Sequence, residues 1–235
     1  MGVLSKPDIL KYFKAGNIVI EPFEIKNLSN TSYDVRLGKY IYRQSEMKHT
    51  QTLNPFWPRS VNKIYAGVEE AVEVVLVRSK INPFYNLKPS DLIILVAPGE
   101  TILAHTIEFI GGRNGNKELP AVTTEMRARS SIARIGIAVC KCAGWGDIGY
   151  VNRWTMEITN FSSAIIPLPV GLRIAQIIFH STTPIEEKDE YQKLGKYQKS
   201  MDIEKIKKSW KPEMMLPRLN EDRDLGGFER YRNLS

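Results

Sequence analysis

Short runs of β-branched and aliphatic residues, separated at close intervals by turn residues, recur from residue 17 to about residue 183. Pro98-Gly99 and Gly111-Gly112 are typical of turns between strands. Many short strands with regular turn signals predict an all-β sandwich or barrel. The predicted strands are residues 17–22, 32–38, 71–77, 92–96, 101–109, 135–140, 154–158, 165–168 and 172–180.

Helices are predicted only near the two ends of the chain and at one short internal stretch. Ser5 is suited to begin an N-terminal helix and Gly16 to end it. Residues 130–134 form the internal candidate. Two polar stretches are predicted as a long loop, residues 44–60, and as an exposed hairpin tip, residues 113–117.

The composition changes after the last predicted strand, where the chain becomes charged and poor in strand patterns. This change predicts a β-barrel domain over residues 1–183 and a C-terminal lid and extension over residues 184–235. One helix is expected in the extension, at residues 201–210, with Ser200 as its cap and Pro212 as its stop.

Composition limits the classes of protein that this chain can represent. Its 235 residues suffice for a sizeable core, and 43% of them are hydrophobic, as in ordinary globular proteins. No apolar run reaches the ~18 residues that a membrane span needs, and the first residues are unlike a secretory signal. We therefore expect a cytoplasmic protein with no membrane partner.

The net charge is +7, from 33 Lys and Arg against 26 Asp and Glu. This balance favours anionic partners, such as nucleic acid, nucleotides or an acidic surface, without choosing among them. No block of consecutive basic residues forms a nucleic-acid-binding tail, so no nucleic-acid partner is expected.

The two cysteines, Cys140 and Cys142, are two residues apart. In a strand they would lie about 7 Å apart on one face, which is long for a disulfide and predicts two reduced, packed thiols. The histidines His49, His105 and His180 are scattered along the chain. The chain also lacks the H-x-E and P-C-x-x-C elements of zinc-dependent nucleobase deaminases, so no protein-bound metal is expected.

The segment Arg129-Ser130-Ser131-Ile132-Ala133-Arg134 combines basic side chains with two adjacent hydroxyls. If it opens a short helix, its free backbone N–H groups and hydroxyls can face an anion. Ser130 and Arg134 then share a helix face, and arginine is suited to bidentate binding of phosphate. The alternative is a surface helix with ordinary arginines.

Asp147 is flanked by glycines in the segment Gly144-Trp145-Gly146-Asp147-Ile148-Gly149. The glycines allow a tight turn and the close approach of a ligand to the backbone. Asp147 could there orient a water molecule or bind a sugar hydroxyl. The alternative is an Asx-turn in a hairpin.

Glu157 alternates with apolar neighbours in a predicted strand, so Thr155, Glu157 and Thr159 share a face. If that face points into a pocket, partial desolvation raises the pKa of the Glu157 carboxyl towards neutrality and suits it to proton transfer. The alternative is the solvent face of an edge strand.

Together these motifs resemble the dCTP deaminases, a branch of the trimeric dUTPase superfamily. Residues 32–38 resemble the S-x-D-V-x-L-G strand of that family. Residues 129–160 resemble its R-S-S-x-x-R … A-G-x-x-D-x-G-[FY] … L-E core, with Met156 in place of the leucine. Lys196-Tyr197-Gln198 resembles its K-Y-Q element, which folds over bound nucleotide.

The resemblance implies roles for individual residues. Glu157 takes the place of the catalytic glutamate of the family. Plain dUTPases have an apolar residue at that position. Ser130 and Arg134 take the places of groups that contact the reacting water and the nucleotide, and Asp147 that of the aspartate with which dUTPases activate water. The other implied substrate contacts are Arg129, Ser131, Ala143, Trp145, Gln176, Lys196, Tyr197 and Gln198.

The resemblance also implies a fold and an activity. The fold is a mainly β, distorted β-barrel (β-clip) with a short N-terminal helix and a helical or irregular C-terminal tail, assembled as a homotrimer with shared sites. The activity is hydrolytic deamination of dCTP to dUTP, metal-free at the base, with Mg²⁺ bound through the triphosphate. The A-G-W form of the core resembles members that also hydrolyse dUTP to dUMP and pyrophosphate, supplying dUMP for thymidylate synthesis.

Several points stay open at this stage. Cys140 and Cys142 stand where many members have His and Thr, which leaves regulation by dTTP undecided, and Gly226-Gly227-Phe228 only faintly resembles the glycine-rich lid of dUTPases. The alternative functions are a dUTPase or other deoxynucleotide hydrolase, and a nucleotide-sensing or interaction module without turnover. The tail around Lys196 has few apolar anchors, so we expect it to be mobile without nucleotide.

Overall fold

A computed structural model describes residues 2–45, 52–65, 67–77, 86–116 and 118–221. The strands are β1 Ile18–Glu21, β2 Ser32–Arg43, β3 Val68–Glu70, β4 Val72–Glu73, β5 Leu92–Val96, β6 Thr101–Gly112, β7 Ala121–Ala128, β8 Ile137–Ala138, β9 Trp145–Gly146, β10 Val151–Asn160, β11 Ile166–Pro169 and β12 Arg173–Thr182. The α-helices are α1 Lys6–Lys14, α2 Pro58–Ile64, α3 Ser130–Arg134, α4 Tyr191–Leu194 and α5 Ile203–Ser209. The fold is therefore mainly β, as predicted, with a short N-terminal helix.

The strands form a large sheet and a small one, and the pairings are antiparallel. The large sheet has nine strands in the order β8-β10-β6-β2-β12-β7-β9, with β1 beside β6 and β3 beside β2. It curls strongly into a half-barrel. The small sheet has the order β11-β5-β4. Because β10 runs antiparallel along β6, the polar side chains of β10 are held on a rigid frame.

The concave interior of the curled sheet holds one large apolar core. Tyr33, Phe179 and Met126 are among its largest fully buried side chains. Each such side chain contributes about 1.5–3 kcal/mol when it is fully removed from water. One buried carboxylate, Glu108, is compensated by Arg36, whose Nε lies 2.6 Å from Glu108 Oε1 and whose backbone N–H donates to Oε2 at 2.8 Å.

The two terminal helices form where expected, but their caps differ from the prediction. Ser5 precedes α1, yet its hydroxyl donates to Asp8 Oδ2 at 2.7 Å and caps no backbone N–H. Asp202, not Ser200, caps α5 by accepting from the N–H groups of Glu204 and Lys205. A carboxylate at this position also complements the positive end of the helix dipole, which favours Asp202 over the serine.

Two predicted strands are shorter than the sequence suggested. Of residues 71–77 only Val72–Glu73 are paired, and Val74–Leu76 form an exposed 3-10 turn. Of residues 135–140 only Ile137–Ala138 are paired. The β-branched content of both stretches favours strands, but tertiary pairing decides the outcome.

The polar connections also depart from the prediction. The expected loop at 44–60 gives way to α2 at Pro58, while residues 46–51 lie outside the described residues. Residues 113–116 do not form an exposed hairpin tip, because β6 and β7 are not neighbours in the sheet, and Lys117 lies outside the described residues. Asn114 instead donates to Ile185 O at 2.7 Å, which ties this connection to the chain after β12.

The prediction of two reduced, packed thiols is only half correct. Both cysteines are free, but only Cys140 is buried, and Cys142 is exposed. They follow β8 in a turn rather than sharing a strand face. Among the described helices none is long and apolar enough to cross a membrane.

Candidate active site

Strand β10 carries Glu157 into a cavity of about 420 Å³. Met156 and Ile158 are fully buried in the core, whereas Thr155 and Glu157 face the cavity. The alternation therefore divides β10 into a core face and a cavity face, because successive strand residues point to opposite sides. The alternative interpretation, that Glu157 lies on the solvent face of an edge strand, is therefore wrong.

The Glu157 carboxyl has fewer partners than a buried acid normally has. Within the described chain its Oε2 is buried and has no hydrogen-bond partner. Burial raises the pKa of Glu157 above the ordinary carboxyl value, while a hydrogen bond from its own backbone N–H and, more weakly, Lys141 oppose this. A carboxyl desolvated in a cleft is suited to take and return a proton near neutral pH.

The turn after β9 brings Asp147 to the same cavity. A Cβ on Gly146 would lie 2.4 Å from Thr124 Oγ1 and 2.5 Å from the Trp154 ring, so only glycine fits there. Gly149 adopts φ +93°, which favours glycine as well. Its N–H donates to Gly112 O at 2.9 Å, so no Asx-turn forms around Asp147.

The side chains of this turn that the sequence singled out lie together. Ala143, Trp145 and Asp147 all line the Glu157 cavity. The Asp147 side chain is exposed and accepts no hydrogen bond from any residue that the structure describes. It is therefore available to a ligand or a water molecule, as the dUTPase-like role requires.

The segment after the last strand packs against β10. Tyr197 lines the Glu157 cavity, and Lys196 lines a neighbouring cavity of about 460 Å³ together with Asp147 and Trp145. Gln198 is only 5% exposed. It accepts from Val151 N at 2.7 Å and donates to Gly149 O at 2.9 Å and to Ser200 O at 2.8 Å. The segment is thus anchored by buried polar contacts, which the sequence did not reveal, and its mobility without nucleotide stays a prediction.

Helix α3 and its neighbours form a second polar group, outside the Glu157 cavity. Ser130, Ser131 and Arg134 are exposed on α3. Arg129 Nε lies 3.2 Å from Asp34 Oδ2, and Arg173 Nη1 lies 3.3 Å from the same oxygen. Burial raises the pKa of Asp34, against the opposing effect of the two arginines.

Gln176 belongs to this second group as well. It lies on β12, where its partners in register are Asp34 and Arg127, and Ser32 Oγ is 3.5 Å from its Oε1. A single chain therefore brings together Glu157, Ala143, Trp145, Asp147 and Tyr197, but places the α3 residues and Gln176 elsewhere.

Sequence reasoning missed a large part of the cavity wall. Tyr150 and Thr155 had a local signal, because they lie within the motifs around Asp147 and Glu157. Asn152, Arg153 and Trp154 lie between these two motifs, whereas the others come from distant parts of the chain and share no pattern with them. The missed lining residues are Tyr65, Leu103, Asn152, Arg153, Trp154, Tyr191, Trp210, Met214, Met215 and Pro217.

Among the described residues no group of three or more His, Cys, Asp or Glu is arranged to hold a metal ion. His105 is a core residue, since burial lowers its pKa to about 4 and its Nδ1 lies 2.8 Å from Thr106 O. His180 lies 3.2 Å from Glu125 Oε2, and His49 lies outside the described residues.

The strongly curled sheet places the chain in a known fold class. It resembles the crystal structure of the 2′-deoxycytidine 5′-triphosphate deaminase of Agrobacterium tumefaciens, with a TM-score of 0.50 and 16% identity. The match covers 82% of this chain and 52% of the other, so this chain spans about half the length of that one. The two proteins thus share a mainly β fold with a strongly curled sheet.

The chain belongs to the dCTP deaminase-like family, whose model matches residues 3–182. It is 30% identical over 205 residues to the dUMP-forming dCTP deaminase of Nanoarchaeum equitans (strain Kin4-M), covering 84% of this chain and 92% of the relative. It is 31% identical over 204 residues to the dUMP-forming dCTP deaminase of Leptospira biflexa serovar Patoc (strain Patoc 1 / Ames), covering 86% and 93%. The family assignment from the motifs is confirmed.

Proposed function

We propose that this protein is an enzyme that deaminates dCTP to dUTP and hydrolyses the dUTP to dUMP and pyrophosphate. The observation that carries the proposal is the buried Glu157 carboxyl, unpaired at Oε2, in one cavity with Asp147. The relatives that match most of the chain are named as dUMP-forming dCTP deaminases, which supports the same pair of reactions.

In the first reaction Glu157 acts as the proton carrier. Its carboxylate takes a proton from water, the resulting hydroxide attacks C4 of cytosine, and the proton is passed to N3. The tetrahedral intermediate then collapses: the C4–N4 bond breaks, ammonia leaves with a proton delivered through Glu157, and the C4 carbonyl of uracil forms. Acid–base catalysis by one positioned group contributes about 10²–10⁴ in rate.

In the second reaction Asp147 orients a water molecule for attack on the α-phosphate of dUTP. The bond between the α-phosphorus and the bridging oxygen breaks, and pyrophosphate leaves, which yields dUMP. Its exposed carboxylate, free of hydrogen bonds from the described residues, suits this role. Trp145 and Ala143 lie beside it and would contact the nucleoside.

The triphosphate needs cations that the Glu157 cavity of one chain does not offer in sufficient number. We assign the phosphate contacts to Arg129 and Ser131, and the contacts with the reacting water and the nucleotide to Ser130 and Arg134. Gln176 would support the strand beside them. Mg²⁺ fits such a site without a full set of protein ligands, because it is usually held by substrate phosphates and one or two carboxylates. Asp147 is the carboxylate that would bind it here. When bound, Mg²⁺ neutralises phosphate charge and orients the phosphate oxygens.

Because α3 lies outside the Glu157 cavity of its own chain, the proposal requires a homotrimer in which a neighbouring chain completes each site. The surface supports such assembly. Phe161 is 73% exposed and lines a groove of about 780 Å³ together with Trp145 and Gly136. Exposed apolar surface of this kind marks protein interfaces.

Residues 184–235 are proposed as a lid and extension to the barrel of residues 1–183. Lys196 would meet phosphate, Tyr197 would cover the nucleoside, and Gln198 would hold both in place. Closure of such a segment excludes water and strengthens the electrostatic interactions inside the site. The glycines at 226 and 227 lie outside the described residues.

The test is to incubate the purified protein with dCTP and, separately, with dUTP in the presence of Mg²⁺, and to resolve the products by chromatography. The proposal expects ammonia, dUMP and pyrophosphate from dCTP. Turnover of dUTP alone would make the protein a dUTPase, and binding without turnover would make it a nucleotide-sensing module. Either result overturns the proposal.

A further inference from the structure

The part of the chain that follows the family match contributes side chains to the Glu157 cavity. Residues 203–218, here called the post-barrel segment, comprise α5 and the turns after it. The family model ends at residue 182, so this segment is not part of the shared barrel. Yet its residues Trp210, Met214, Met215 and Pro217 line the same cavity as Glu157.

The post-barrel segment is fastened to the barrel by a stack of three side chains. The Arg153 guanidinium lies 4.9 Å from the Phe109 ring centroid and 4.5 Å from the Trp210 ring centroid. Nε of Arg153 is buried with no hydrogen-bond partner among the described residues. Stacking on two aromatic faces is therefore its main compensation, and loss of Trp210 removes half of it.

The apolar side of the segment continues this attachment. Met215 is buried in a cluster with Tyr42 and Leu103, and Ile206 is buried on α5. Trp210 also packs on His105, with ring centroids 4.7 Å apart. The segment thus packs over the end of β2 and the start of β6 beside the cavity.

The far end of the segment is tied to the lid residues. The Arg218 N–H donates to the Tyr197 hydroxyl at 3.2 Å, and Arg218 Nη1 donates to Lys196 O at 3.2 Å. The post-barrel segment is therefore hydrogen-bonded to Lys196 and Tyr197 beside the cavity.

We propose that the post-barrel segment is the outer wall of the substrate cavity. Trp210 and Met214 of this wall set the size of the pyrimidine that the cavity admits. The opposite side of the cavity is built from β10 and the turn at residues 143–150, whose main chain is fixed by sheet pairing and tight glycine contacts. Room for a substituent on the ring can therefore be gained at the post-barrel wall more readily than at that opposite side. This assignment rests on the proposed function, because it takes the ligand to be a pyrimidine nucleotide.

The experiment compares kcat/KM for dCTP with that for 5-methyl-dCTP, a substrate one methyl group larger. Met214→Ala enlarges the cavity and leaves the Arg153–Trp210 stack in place. We expect it to raise the ratio of kcat/KM for the methylated over the plain nucleotide by at least ~10-fold, since one methyl group in a packed pocket is worth about 10–200-fold. Trp210→Ala should shift the ratio in the same direction and also raise KM for dCTP.

Lys208→Ala and Lys211→Ala are the matched controls, because both side chains are exposed on the same segment and line no part of the cavity. Both should leave the ratio unchanged. A chain ending after Ser200 keeps Lys196, Tyr197 and Gln198 but lacks the wall, and it should show a higher KM for dCTP and the relaxed ratio.

Three results would overturn the assignment. An unchanged ratio in Met214→Ala and in the shortened chain would show that the wall does not contact the ring. Equal losses on both nucleotides would make Trp210 a structural anchor alone. Increased kcat/KM of the shortened chain on dCTP would show that the segment obstructs the site. If the unaltered protein turns over neither nucleotide, the proposed function fails first, and this assignment fails with it.

Discussion

Gln198→Ala is the substitution that most directly tests how the lid is held. The Gln198 side chain satisfies two buried backbone groups, the Val151 N–H at 2.7 Å and the Gly149 carbonyl at 2.9 Å. Alanine can satisfy neither. Both groups belong to the start of β10 and the turn before it. The substitution should therefore weaken the packing of the lid against the site.

The size of the effect follows from these two groups. A buried backbone group left without a partner costs about 1–3 kcal/mol, and water that enters the vacated space reduces this. Two such groups give about 2–4 kcal/mol in the equilibrium between the docked and undocked segment. Because 1.4 kcal/mol is about a factor of ten, the undocked population should rise about 30- to 1000-fold.

Hydrogen exchange followed by mass spectrometry measures this change. Peptides covering residues 191–202 should exchange faster in Gln198→Ala, and kcat/KM for dCTP should fall, while peptides from β2 and β12 should keep their protection. Lys199→Ala is the control, because it removes only an exposed hydrogen bond to Gly195 O. Exchange at the wild-type rate in Gln198→Ala would refute the account of how the lid is anchored.

Three further predictions concern the reactions, the acid and the assembly. Asp147→Asn should stop hydrolysis but not deamination, so dUTP should accumulate from dCTP in a chromatographic assay, and continued release of dUMP would contradict the role of Asp147. Burial raises the pKa of Glu157 above 4.5 in the folded chain, so stability is lost as the pH rises through that folded pKa. Glu157→Gln should therefore raise Tm at neutral pH and change it little near pH 4, and an equal shift at both pH values would count against a desolvated carboxyl. Light scattering should give about three times 26.8 kDa, and a fully active monomer would rule out shared sites.

Local sequence signals predicted the parts of the site that depend on short-range geometry. The alternation around Glu157 predicted which side chains share its face, since a strand has a fixed period of two. The Arg129-to-Arg134 segment predicted α3 at the observed residues, because its signal for a short helix lies within the element itself. The glycines around Asp147 predicted the tight turn that brings it to the cavity.

Features that depend on distant packing had no such signal. Strand β7 was not predicted, because Val122, Thr123 and Thr124 are buried in succession between two strands and show no alternation. Residues 71–77 were predicted as a strand from their valines, but Leu76 is 70% exposed in a 3-10 turn, so tertiary context overrides the local preference.

The cavity wall shows the same limit. Trp210 contacts Arg153 although 56 residues lie between them in the sequence, and the segment that carries Trp210 has no pattern in common with the barrel. The sequence marked Gln198 through its resemblance to the K-Y-Q element, but not as a buried anchor. Only the fold shows that its side chain is buried against Val151 and Gly149.

The central claim is that the Glu157 carboxyl moves protons in a desolvated cavity, and the turnover and nucleotide affinity of Glu157→Gln test it most directly. Glutamine keeps the shape of the side chain but cannot accept the proton, so kcat for deamination of dCTP should fall by at least ~10² while the Kd for dCTP changes little. Near-normal turnover by this variant would contradict the mechanism.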